Sequence, residues 1–187
     1  MGELTNELLS TRGNKPPPTY NMINSGNYKF ILYGLLRHFN EKAYFSQCYT
    51  FKLNKDMFSV KNKDMLLVYD GDIKNSKNNQ AIIASRVNQN LNNLQNKLDK
   101  YRVKLIFMPA PDKYTVYYNY LASKKYPRSL FFDEIAKLDK KYIFVNTKQI
   151  LQNELNKNQK DTYFADDTHW SFKASETIVK TMDFIER

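Results

Sequence analysis

Apolar positions recur along the chain with two different periods. Phe30, Ile31, Tyr33, Leu35, Leu36 and Phe39 form a dense apolar run that predicts a helix ending near Asn40. From Ala81 onward, Ile83, Val87, Leu91, Leu94, Leu98 and Tyr101 step by four or three, the signature of a long amphipathic helix. Ala174, Ile178, Met182 and Ile185 repeat the pattern in a helix that closes the sequence. Shorter helices are expected at 131–138 and 149–155. Between them lie β-favouring runs at 44–53, 103–108 and 142–145, together with residues 65–69 (Met-Leu-Leu-Val-Tyr), a continuous apolar run of the kind found in parallel strands buried on both faces. Residues 19–24, with Thr19, Tyr20 and Ile23, are β-capable and run into Ser25-Gly26-Asn27 ahead of the first helix.

Strands alternating with helices predict an α/β layer fold with a mostly parallel sheet and right-handed crossovers. Ligands of such sheets bind at the carboxyl ends of the strands. This edge would gather Ser25-Gly26-Asn27, residues 70–75 with Gly71 and Asn75, and the loop 109–114. The run Pro16-Pro17-Pro18 cannot continue a helix, so residues 1–18 read as an extended, poorly ordered lead-in to a single domain over 19–187. No internal repeat, G-x-G-x-x-G or P-loop is present, which argues against nucleotide binding.

Composition narrows this picture. A chain of 187 residues, 42% hydrophobic and 14% aromatic, has enough apolar mass for a substantial core without a disulfide or structural metal. Cys48 is the sole cysteine and reads as a packing residue. The formal charge of +10 raises the question of nucleic acid, yet the lysines are scattered and no basic run or nucleic-acid motif occurs, so no such partner is expected. No stretch approaches the roughly 18 apolar residues of a membrane span, and no secretory signal is visible at the N-terminus. The literal expectation is a cytoplasmic protein, or one of the cell envelope or periplasm if the sequence is a trimmed member of its family.

Chemistry concentrates in one stretch, residues 163–175. Asp166, Asp167, one of two histidines (His169) and the only tryptophan (Trp170) fall within five positions, just ahead of the closing helix. A histidine acts as a base once a partner on one ring nitrogen fixes its tautomer, and an aspartate two or three residues earlier can be that partner. An unperturbed imidazole titrates at about pH 6.5, so a carboxylate-paired one takes a hydroxyl proton near neutrality. The alternative is structural: Asp166 or Asp167 caps the closing helix and His169 packs beside Trp170. A metal site would need a second histidine, cysteine or glutamate at ligand spacing, and none is nearby. No metal or organic cofactor is expected, and His38 reads as a helix-surface or packing residue.

The block Asp166-Asp167-Thr168-His169-Trp170-Ser171 followed by a helix resembles the Asp-x-His-Trp block of the SGNH hydrolase-like proteins that acetylate or deacetylate polysaccharides, such as those of alginate O-acetylation. The strand at 103–108 followed by Pro-Ala-Pro-Asp-Lys-Tyr is similar to that superfamily as well. The likeness runs over roughly residues 21–185 and is strong at 163–175. It implies a three-layer α/β sandwich, SGNH- or flavodoxin-like, with a mostly parallel central sheet flanked by helices. It further implies His169 as general base, Asp167 (Asp-x-His spacing) or Asp166 (Asp-x-x-His spacing) as its orienting carboxylate, and Ser25 as nucleophile. Ser25 is also a favoured helix N-cap. Gly26 and Asn27 would help hold the oxyanion, where one donor contributes about 3 kcal/mol. Gly71, Asn75 and Trp170 are the remaining candidates around the substrate. In some polysaccharide-acetylating members the serine motif follows the histidine block instead.

Two functions follow. The first is a serine esterase or O-acyltransferase acting on acylated glycans, an acylated carbohydrate or polysaccharide being its partner. The second is a non-catalytic carbohydrate-binding or assembly protein of the same fold that lacks a working nucleophile. In either, the tyrosine-rich region 114–126 would stack on sugar rings or simply pack.

Overall fold

In this computed structural model the described residues are 25–42, 46–76 and 81–182. The lead-in at 1–18, the strand expected at 19–24 and Ile185 lie outside them. Helix α1 (Ser25–Phe39) forms where the first apolar run predicts it and includes Ser25. Several of its described apolar side chains are not absorbed by the core: Ile31, Leu35 and Phe39 are 51%, 60% and 86% exposed.

Strand β1 (Cys48–Lys52) pairs antiparallel with β2 (Met65–Tyr69), with Phe51 opposite Leu66. The parallel, doubly buried strand expected at 65–69 is therefore corrected. Only Leu66 and Val68 point into the core, while Met65 and Tyr69 are exposed. The run is apolar on both faces because Met65 and Leu67 line a surface groove on the outer one. The chain does not loop after β2 as expected but turns at once into helix α2 (Asp70–Ser76). Asp70 anchors that turn by accepting from the ammonium groups of Lys42 at 2.9 Å and Lys74 at 2.8 Å.

Helix α3 (Ala81–Leu98) tightens into a 3₁₀ turn at Asp99–Tyr101, which ends on Arg102 in the left-handed region at φ 56°. The side chains it buries most deeply are not the periodic leucines but Ala84, Asn88 and Gln95. Gln95 donates to the carbonyl of Val103 (2.9 Å) and accepts from the N–H of Leu105 (2.7 Å), while Asn88 donates to the carbonyl of Asp139 (3.0 Å) and accepts from the Tyr142 hydroxyl (2.8 Å). The two amides satisfy main-chain groups ahead of β3 (Ile106–Phe107) and β4 (Ile143–Phe144). These two strands pair in parallel, Ile106 with Ile143.

The class is thus α/β. The single, mostly parallel sheet expected from the strand pattern is, among the described residues, one antiparallel and one parallel pair.

The remaining elements are α4 (Lys113–Tyr117), a 3₁₀ turn at Tyr118–Tyr120, α5 (Phe131–Lys137), α6 (Thr147–Asn156) and α7 (Phe172–Met182). The tyrosine-rich region resolves in favour of packing where it is most apolar. Tyr114 and Tyr117 are fully buried, Tyr114 against Phe51 and Tyr117 against Phe58, in a core that also takes Leu66, Leu151, Leu155 and Ile178. Each such side chain removed from water contributes about 1.5–3 kcal/mol. Among the described residues no helix is long and apolar enough to cross a membrane.

Candidate functional site

The aspartate–histidine stretch forms a closed loop with a short antiparallel stem. Tyr163 bridges to Trp170, the N–H of Phe164 donates to the carbonyl of His169 (3.2 Å), and the N–H of Ser171 donates to the carbonyl of Thr162 (2.9 Å). The stem is anchored in the core through the buried Tyr163, whose hydroxyl donates to the carbonyl of Pro111 at 2.7 Å, and through Trp170, which packs against the core. Trp170 thus serves the base of the loop. At the approach, Asp161 adopts φ 59°, a conformation short polar side chains tolerate. Its carboxylate accepts from the N–H (2.8 Å) and hydroxyl (2.6 Å) of Ser59, tying the loop to the β1–β2 connection. The cap of α7 is Ser171, whose hydroxyl accepts from the N–H of Ala174 at 3.3 Å. That leaves both aspartates free of the capping duty that the structural reading gave them.

Asp167 is the carboxylate in contact with the histidine. Its Oδ1 lies 2.8 Å from His169 Nδ1. The same oxygen takes the N–H of Thr168, and the histidine's bond comes first in holding the Asp167 carboxyl below the usual carboxylate range. Nδ1–H donating to Asp167 leaves Nε2 as the basic nitrogen, and Nε2 has no hydrogen-bond partner among the described residues. Both side chains face solvent, His169 at 78% and Asp167 at 51% exposure. Asp166, next in the chain, instead lines a groove of about 790 Å³ whose walls include Val60, Met65, Leu67, Phe164 and Phe172.

Beneath the loop lies a second, buried set of charges that the sequence did not single out. Pro111 stops the chain after β3, and Asp112 caps α4 by accepting from the N–H (2.7 Å) and hydroxyl (2.8 Å) of Thr115. This places Lys113 in the first turn with its side chain fully buried. Its Nζ donates to the carbonyls of Phe164 (2.7 Å), Ala165 (3.0 Å) and Asp167 (3.1 Å). Burial pushes the ammonium down to about 8, against the opposing pull of Asp166, Asp167 and Asp72. Asp72 is pushed up to about 6, first by burial and then by the charge of Asp112, and its buried Oδ2 has no hydrogen-bond partner among the described residues. Burial likewise raises Asp112. The only sequence hint of this layer was Asp112-Lys113 directly after Pro109-Ala110-Pro111.

The other candidates are not brought to the loop by these contacts. Ser25, Gly26 and Asn27 lie on α1, and their side chains lie outside the described ones. Gly71 and Asn75 sit on α2, not in a loop. A Cβ at Gly71 would meet the Tyr69 ring at 2.5 Å, so that glycine allows close packing. Asn75 lines a separate cavity of about 270 Å³ with Asp72, Asp112 and Ser129. His38 is exposed on α1, edge-on to Phe39. Among the described residues no group of three or more histidine, cysteine, aspartate or glutamate side chains is placed to hold a metal.

A family model described as an SGNH hydrolase-like domain, acetyltransferase AlgX, matches residues 61–181, a span that includes the loop, Lys113 and the helix after the histidine. No curated protein and no solved structure matches the chain.

Proposed function

As the chain belongs to the SGNH hydrolase-like, AlgX-type acetyltransferase domain family, we propose that it transfers or hydrolyses acyl groups on glycans, with His169 as general base and Asp167 as its orienting carboxylate. The observation that carries the reading is the 2.8 Å Asp167–His169 contact, made through Nδ1 with Nε2 turned to solvent. A hydroxyl oxygen attacks the acyl carbonyl while Nε2 takes its proton. The imidazolium so formed is stabilised by Asp167, and it returns the proton to the alcohol oxygen that leaves as the tetrahedral intermediate collapses. Ser25, which lies on α1, is the proposed nucleophile by the family resemblance. The three-layer sandwich belongs to the same reading, with the parallel pair β3–β4 as part of its central sheet.

Covalent labelling by a fluorophosphonate, mapped by mass spectrometry with His169→Ala alongside, tests the assignment. Label on Ser25 that falls at least about 100-fold in rate in the variant is the expected result. A folded protein that takes no label would overturn the catalytic reading in favour of a glycan-binding or assembly role.

A further inference from the structure

Lys113 stands behind the loop, and the acyl-transfer steps give it nothing to do. Its ammonium has three N–H donors, and each meets a carbonyl of the same short segment, on Phe164, Ala165 and Asp167. The side chain is fully buried, with the Phe58 ring 5.2 Å from Nζ. It makes no ion pair among the described residues, since the carboxylates of Asp72, Asp166 and Asp167 face it only at longer range. A buried cation satisfied entirely by main-chain carbonyls fixes the path of the main chain, and the third of its carbonyls belongs to the residue whose side chain holds His169.

We infer that Lys113 is a positioning residue: its ammonium clamps the loop at 164–167 so that Asp167 Oδ1 stays in reach of His169 Nδ1, keeping the imidazole in the tautomer whose Nε2 is basic. Its purpose rests on the acyl-transfer reading, whereas its geometry does not. The test therefore uses no substrate. Proton–nitrogen correlation spectra of ¹⁵N-histidine-labelled protein distinguish the two tautomers of His169, with His38 as internal reference.

At pH 7.5 the wild type is expected to show the Nδ1–H form, and Asp167→Asn to shift toward the Nε2–H form that a free imidazole prefers. Lys113→Met is expected to move His169 at least half of that way, with the His38 signals and a cooperative melt retained. A Lys113→Met protein that folds and keeps the wild-type tautomer overturns the inference.

If that variant does not fold, the same spectra are read on Cys48→Ser protein between pH 7 and 9.5, the range in which Lys113 loses its proton. The titratable groups facing Lys113 are Asp72 on α2, its chain neighbour Asp112, Asp166 and Asp167 in the loop, and Cys48 on β1. Cys48 is replaced so that no thiol ionises in that window, the ordinary thiol range being about 8.5. A tautomer shift with a midpoint near 8 supports the clamp, and a tautomer constant across the range overturns it. Failure of serine labelling with an intact tautomer response would sink the acyl-transfer reading alone.

Discussion

On its outer side the loop at 164–169 presents Asp167 and His169 to water, paired at 2.8 Å with most of the imidazole exposed. On its inner side it is held by Lys113, a cation with no exposed surface, bonded to carbonyls of the same few residues. The two sides differ in what charge does there. In water an ion pair adds little to stability. In the core a charge is costly to bury and costlier still to leave unmatched, so each donor of the ammonium meets a carbonyl.

Lys113→Ala should give the largest effect. It removes a long buried side chain together with the donor of three carbonyls, and is expected to lower stability by about 3–5 kcal/mol in urea denaturation. A loss below about 1 kcal/mol would show that water replaces the ammonium and that the inner side is not core-like. The pH dependence has a definite sign. Burial depresses Lys113 from 10.5 to about 8, so between those values the unfolded chain holds the extra proton. Stability of the wild type relative to Lys113→Met must therefore rise with pH across that window.

Asp167→Asn should do the reverse on both counts. The melting midpoint stays put, while the His169-dependent labelling rate falls by roughly 10²–10⁴-fold. A drop in the midpoint would show that the outer pair is structural.

Asp72→Asn comes next. With its carboxyl raised to about 6, Asp72 favours folding in its protonated form below the unfolded value of 3.8, and this contribution is lost as pH rises through 6. The neutral amide should consequently melt a few degrees higher than wild type at pH 7, and the gain should vanish near pH 3.5. Glu176→Ala, which removes an exposed pair with Lys180 on α7, should leave the melt unchanged. It serves as the control for surface charge.

What the sequence disclosed follows from how local each feature is. The Asp167–His169 contact spans two positions, and the closing helix is read from Ala174 and Ile178, both buried as their spacing requires. The long helix was placed within a few residues, yet its periodic leucines concealed that Asn88 and Gln95 are its buried side chains. Nothing local marks a polar residue whose partners are main-chain groups of another segment. The partner direction of β2 was misread for a related reason. An apolar run suggests that both faces are covered, whereas here the outer one is open and itself forms the wall of a surface groove. Lys113 was invisible as a site residue because every group it contacts through Nζ lies more than fifty positions away. The exposed apolar face of α1 is the counterpart: its pattern predicts burial that the described residues do not provide.

The two sets of bonds that shape the loop also differ in when they can form. The stem joining Tyr163 to Trp170 and Thr162 to Ser171 closes a short hairpin, a contact of low sequence separation that an unfolded chain samples cheaply. The bonds of Lys113 to Phe164 and Asp167 span 51 and 54 positions, and they form only after α4 and the stem have been brought together by the core. A nascent or partly folded chain would therefore carry the hairpin before it carries an oriented base. Competence of the histidine then becomes a late reporter of folding, switched on when the last long-range contacts close.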